Sequence, residues 1–237
     1  MLKHFVRDLQ SIKRQLLKQF GTVEKMISDA TQALCEREVV LARQVIDTDE
    51  QVNVEDVRIE EECLKILALH QPVATDLRQI SAILKINSDI ERIADLACNI
   101  AERAECVHQY AYFPLPDQIN EMARRATEMV GNALDAFVNL DEQLAKQVIK
   151  SDSMVDQLNR EVIEEIKGLM RQDSTLVDPA LHCFSATRHL ERIADHAENI
   201  AEDVIYLVNG EIVRHDHQEF LQESKESQDA SNNNSGD

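Results

Sequence analysis

Apolar positions at the start of the chain, Leu2, Phe5, Val6, Leu9, Ile12, Leu16, Leu17 and Phe20, fall mostly three and four residues apart. On a helix that turns once in about 3.6 residues this spacing makes one buried face, so a first long helix is expected from residue 2 to about 36. Similar stripes predict a second helix from about Val39 to Leu69. His70-Gln71-Pro72 stops it, because proline has no N–H to give and pushes the residue before it out of helical geometry. A third is expected from about Ala74 to Tyr110, ending before Phe113-Pro114-Leu115-Pro116. The fourth should follow, with Asp117 as its cap, and end near Asn139. Asn139-Leu140-Asp141 turns the chain into a fifth helix reaching about Arg171. Asp173 to Pro179 leads to the sixth, with Pro179 in its first turn, and Asn209-Gly210 offers the left-handed stop.

The six helices are two sets of three, because the sequence repeats itself. Glu91-Arg92-Ile93-Ala94-Asp95 returns at Glu191-Arg192-Ile193-Ala194-Asp195, 100 residues on, and Asn99-Ile100-Ala101-Glu102 returns at Asn199-Ile200-Ala201-Glu202. Upstream, Met26 to Asp49 matches Met129 to Asp152 at a displacement of 103. The three-residue difference falls in a connection between helices, where extra length costs little. The expected fold is all-α, two tandem three-helix bundles over residues 1–112 and 117–210, split at the double-proline segment. Ala94, Ala97, Ala101, Ala194, Ala197 and Ala201 would let helices approach closely. Residues 211–237 lose the pattern, and 222–237 (QESKESQDASNNNSGD) are polar and low in complexity, an expected disordered tail.

Composition narrows the function. Five Gly, four Pro, no Trp and 4% aromatics argue against a turn-rich β protein. A net charge of −19 argues against nucleic-acid binding, which depends on Lys and Arg neutralising phosphates. No stretch approaches about 20 consecutive apolar residues, so no membrane-spanning helix is expected, and the charged N-terminus does not read as a signal peptide. The five cysteines, Cys35, Cys63, Cys98, Cys106 and Cys183, form no CxxC pair and sit among apolar residues. They read as small core residues in a reducing compartment, which implies the cytoplasm. One local reversal of charge stands out: the first helix carries Lys3, Arg7, Lys13, Arg14 and Lys18 against Asp8. It reads as a solvated face or as a docking surface for an acidic partner or a membrane.

The candidate chemistry is acidic. Helical positions four apart lie one above the other, so Glu91, Asp95 and Asn99 form an oxygen-bearing stripe, and Glu191, Asp195 and Asn199 form its copy. On the preceding helices Asp152 and Asp156 make a second stripe, matched in the first repeat by Asp49 and Asn53. Arg92 and Arg192 point about 100° away and should not fully occupy the stripes. Facing stripes of this kind suit Mg, Ca, Mn or iron, whereas zinc more often recruits His or Cys. A single ExxxD can equally be a solvated helix face. Duplication at matching places favours a site. His182, His189 and His196 are seven apart, and His196 could border the second stripe. In the first repeat Ala82, Asp89 and Leu96 replace them, so a half-exposed heptad face is the simpler reading. Glu105-x-x-His108 is half of a ferritin-like motif with no second half, and no Gly-rich phosphate loop, nucleophile elbow or zinc-spaced Cys/His set occurs. No positive sign of catalysis is present.

Three stretches carry a family resemblance: Val52-Asn53 after Asp49, Gln71-Pro72-Val73-Ala74-Thr75-Asp76-Leu77-Arg78, and the two Glu-Arg-Ile-Ala-Asp copies. Over about residues 1–215 the chain resembles the PhoU family. The resemblance implies two three-helix bundles and a cytoplasmic regulator rather than an enzyme. It implies restraint of the phosphate-starvation response, linking the ATPase subunit of the phosphate ABC transporter to the sensor histidine kinase of the phosphate two-component system. It implies a homodimer and, in some members, multinuclear iron or zinc on the ExxxD motifs. One site would then use Glu91 and Asp95 with Asp49, Asn53 and Asn99 nearby, and the other Glu191 and Asp195 with Asp152, Asp156 and Asn199. Asn53 in place of an acid predicts unequal metal affinity. The competing expectations are a metal-storage or oxidoreductase bundle and a plain structural dimer with solvated acidic faces.

Overall fold

The computed structural model describes residues 2–210. It contains α1 (Leu2–Glu36), α2 (Val39–His70), α3 (Ala74–His108), α4 (Gln118–Asn139), α5 (Glu142–Gln172) and α6 (Val177–Asn209), with a short 3-10 turn at Ser174–Leu176. No strand occurs among the described residues. The expected tail lies outside them.

Local chemistry accounts for most of the helix ends. Gly210, at φ 78°, returns its amide to Tyr206 O at 2.8 Å and closes α6. Gln71 and Leu140 take the same left-handed turn without being glycine, at φ 47° and 53°. Asp141 starts α5 by accepting from the amides of Gln143 and Leu144 at 2.9 and 3.0 Å. Asp117 does not cap α4 as the sequence suggested. Its backbone is already helical and its side chain accepts no cap bond, so the preceding Pro116 carbonyl takes the Ile119 amide instead.

Each set of three helices packs on itself, and the sets join through α3 against α6 and, less extensively, α1 against α4. The contacts place α2, α3, α6 and α5 side by side, with α1 behind α2 and α3 and α4 behind α5 and α6. One continuous core results, with Leu16, Ile27, Leu34, Ile59, Ile83, Ile86, Ile90 and Ile93 fully buried in the first set. Each such side chain contributes about 1.5–3 kcal/mol. All six alanines named above are fully buried.

On α1, Phe5, Leu9 and Ile12 turn inward, and Phe5 stacks edge-on against His70 with ring centroids 5.6 Å apart. Lys3, Arg7, Arg14 and Lys18 face solvent. Lys13 leaves that basic face: its ammonium sits 5.7 Å from the centre of the Phe137 ring on α4.

Candidate functional site: two acidic clusters on paired helices

The first cluster lies between α2 and α3. Asp49 and Asn53 stand one turn apart on α2, and the Asn53 amide donates to Asp49 Oδ2 at 3.0 Å. Glu91 and Asp95 stand one turn apart on α3. Burial raises the Glu91 pKa, and Asp95, Asp56 and Asp49 raise it further. Asp49 is raised by burial and by Asp95 across the seam, so the structure brings the α2 and α3 stripes together. Arg92 reaches further into the stripe than its direction suggested. It binds Asp95 Oδ2 at 3.2 Å and Glu91 Oε2 at 3.5 Å. Asn99 is turned to its own helix, donating to the Asp95 carbonyl at 2.7 Å.

The second cluster, between α5 and α6, holds more negative charge. Burial pushes Asp152 up to about 6, assisted by Asp156, Asp195 and Glu191. Asp195 is raised by burial and by Asp156. Glu191 is raised by burial and by Asp195, although Arg188 donates to it at 2.6 Å. Among the described residues no ion pair of Arg192 with this stripe matches that of Arg92, though its charge opposes the rise at Asp195. Asn199 is half-buried on the same helix.

Sequence reasoning missed Glu198. Burial pushes its carboxyl up to about 7, and Asp152, Glu202, Asp195 and Asp156 add to the shift. Its counterpart in the first repeat is Cys98, whose thiol burial raises to about 11. Comparing repeats therefore hid it. The signal lay in the run Glu191, Asp195, Glu198, Glu202, spaced as one helical face. Asp56 was also missed. It accepts from Asn87 Nδ2 at 2.6 Å and is raised by burial and Glu60.

These clusters suit a hard cation in their donor chemistry. Asp49 Oδ1, Asp152 Oδ1 and Glu191 Oε2 are buried with no hydrogen-bond partner, and mutual repulsion raises the groups around them. Among the described residues, however, no three His, Cys, Asp or Glu side chains are gathered tightly enough to hold one metal ion. A cation would have to draw them inward.

The other candidates have structural partners. His196 turns away from the second cluster and meets Asp89 Oδ1 at 2.9 Å across the α3–α6 seam. Glu105 pairs with Arg43 at 2.8 Å, and His108 Nδ1 lies 2.9 Å from the Arg37 carbonyl. All five cysteines are free thiols. No helix of the described residues is long and apolar enough to cross a membrane.

The fold and its clusters define a class: a duplicated three-helix bundle carrying the same acidic helix pair twice. The PhoU domain matches residues 16–104 and 119–204, one match per repeat, and the chain belongs to the PhoU family. A relative from Pseudomonas aeruginosa, the phosphate-specific transport system accessory protein PhoU homolog, is 40% identical over 214 residues, covering 90% of this chain and 88% of the relative. The crystal structure of PhoU from Pseudomonas aeruginosa superposes with a TM-score of 0.85 at 39% identity, over 87% of this chain and all of that one. The phosphate transport system regulatory protein PhoU from Streptococcus pneumoniae gives 0.83 at 28% identity, over 88% of this chain and 99% of that one.

Proposed function

We propose that this chain is an accessory regulator of phosphate-specific transport that holds the phosphate-starvation response down when phosphate is plentiful. It does so from the cytoplasm, by contacting the ATPase subunit of the phosphate ABC transporter and the sensor histidine kinase. The observation that supports this most directly is the PhoU match in both repeats, over the same helices that carry the acidic clusters. A regulator of this kind needs a rigid face with different affinity for two partner states, since only differential affinity shifts an equilibrium. The layer of α2, α3, α6 and α5 supplies such a face, framed by the clusters.

Within this reading the clusters take cations. Asp49, Glu91 and Asp95 would hold one group, with Asn53 and Asn99 beside them. Asp152, Asp156, Glu191, Asp195 and Glu198 would hold the other, beside Asn199. Bound iron, zinc or another divalent cation would neutralise the carboxylates and fix the spacing of the helix pairs. The chain works as a homodimer in this proposal.

The test is an alkaline phosphatase reporter in cells that lack the chain and grow in ample phosphate. High output, returned to low by the wild-type gene, is expected. Glu91→Ala/Asp95→Ala should fail to restore repression while keeping full helicity by circular dichroism. Output that stays low without the chain, with normal phosphate uptake, overturns the regulatory reading.

A further inference from the structure

Along α6, His182, His189, His196 and Asp203 are seven residues apart and stand on one face. That face runs antiparallel along α3. Two of its rungs are closed by polar partners from α3: Lys85 Nζ donates to Asp203 Oδ1 at 2.7 Å, and Asp89 Oδ1 meets His196 Nδ1 at 2.9 Å. Continued in the same register, the line places Arg103 of α3 opposite His182. That rung sets a guanidinium against imidazoles, and the α6 acid that acts there, Asp178, stands one turn before His182.

The duplication explains the imbalance. A displacement of 100 residues carries Lys85 to Ser185 and Arg103 to Asp203. One end of the seam is therefore a lysine–aspartate pair, and the mirror-related end is Arg103 with Ser185. Arg103 is left with Glu102 of its own helix, at 3.1 Å from Nη2, and the Glu102 side chain is 47% exposed. Arg103 Nε and His189 Nδ1 are both buried with no hydrogen-bond partner, while His189 Nε2 lies 3.3 Å from Ser185 Oγ. Arg103 is close enough for its charge to act on His182, against Asp178, and on His189, where Arg192 acts more strongly and Glu102 opposes both. A buried donor without an acceptor is costly, and this rung holds Arg103 Nε and, once Ser185 donates to Nε2, His189 Nδ1–H.

We propose that this end of the α3–α6 seam binds a small tetrahedral oxyanion of the phosphate class between Arg103, His182, Ser185 and His189. The guanidinium fork matches two oxygens of such an ion. The serine hydroxyl and an imidazole N–H supply donors from the facing helix, and Glu102 swings out into solvent. The site belongs to the seam between the two bundles, whereas the carboxylate clusters belong to the α2–α3 and α5–α6 seams. Its occupancy would be read by both bundles at once. It rests on no part of the regulatory reading, so the reporter assay and the binding assay fail independently.

The test is calorimetric titration of the full chain, freed of metal by chelation and held at constant ionic strength, with inorganic phosphate and separately with AMP. One saturable phosphate site is expected. Arg103→Gln should weaken it at least tenfold, and so should His182→Ala/Ser185→Ala, while Lys85→Gln at the mirror-related position leaves it unchanged. Circular dichroism checks each variant, and the His182/Ser185 pair decides the matter if Arg103→Gln does not fold. Binding of AMP alone, with the same dependence on these residues, keeps the oxyanion site and assigns it to a phosphoryl group carried on a nucleotide. Absence of saturable binding by both probes, or binding undiminished in the folded variants, overturns the proposal.

Discussion

Asp152 and Glu198 are held where their charges are unwelcome. Their folded pKa values, about 6 and about 7, lie above the ordinary 3.8 and 4.5. A raised carboxyl binds its proton more tightly in the folded state, so folding is favoured below the unfolded pKa and the advantage disappears as pH rises through the folded one. With metal chelated, the chain should therefore lose stability between about pH 4 and pH 7, as read by urea midpoints across that range. Asp152→Asn should raise the midpoint at pH 7.5 and flatten the profile, because it removes the repelled charge at that position. A divalent cation that occupies the cluster should have the same sign of effect as the substitution, raising the midpoint at pH 7.5 in the wild type. At this scale the sequence showed the carboxylates by their spacing. It could not show the partners that distinguish the clusters: Arg92 shared between Glu91 and Asp95, Arg188 taken by Glu191, and Glu198 standing where the first repeat has a cysteine.

Elements were easier to read than single contacts, because a helix stripe sums many weak preferences. The six helices lie within a residue or two of where the apolar period placed them, and Pro72 and Gly210 mark ends for the reasons expected. Asp117 failed as a cap because the chain was already helical there. The α2–α3 corner shows a cost the sequence did not announce. Gln71 and Ala74 both carry positive φ, at 47° and 49°, where a Cβ is strained by about 1–2 kcal/mol. Ala74→Gly should relieve that strain, less the entropy that glycine brings, and stabilise the chain by about 0.5 kcal/mol in equilibrium denaturation. The paired stripes also predict unequal ligand capacity. In a manganese titration read by bound-metal analysis, Asp152→Ala/Asp156→Ala should remove more bound metal than Asp49→Ala/Asn53→Ala, since Asp49 and Asn53 contribute one carboxylate fewer. Equal losses would mean that the duplication, rather than the charge, sets affinity.

Whether the halves act as one molecule depends on the α3–α6 seam. Duplication in the sequence suggested two tandem three-helix bundles, but periodicity within a helix cannot say which face meets the other repeat. The heptad His182, His189 and His196 was read as a half-exposed face, and all three are partly buried; what the period could not show is that this face lies along α3, where His196 meets Asp89 and Asp203 meets Lys85. Asp203 is 3% exposed at its side chain and Lys85 40%, so removing the ammonium withdraws a 2.7 Å partner from a nearly buried carboxylate. Fully buried pairs cost about 3–5 kcal/mol to break this way. Because Lys85 is partly solvated, Lys85→Met should destabilise by about 1–3 kcal/mol. The seam joins the two sets, so that loss should reach both. In a Tyr110→Phe/Tyr112→Phe background the fluorescence of Tyr206 reports the second bundle, while circular dichroism reports all six helices. The two probes should give coincident urea transitions in the presence and absence of Lys85→Met, with the midpoint lower in the variant. A Tyr206 transition that separates from the helical one would show that the bundles unfold independently, and a signal passed across the seam would then have no cooperative unit to carry it.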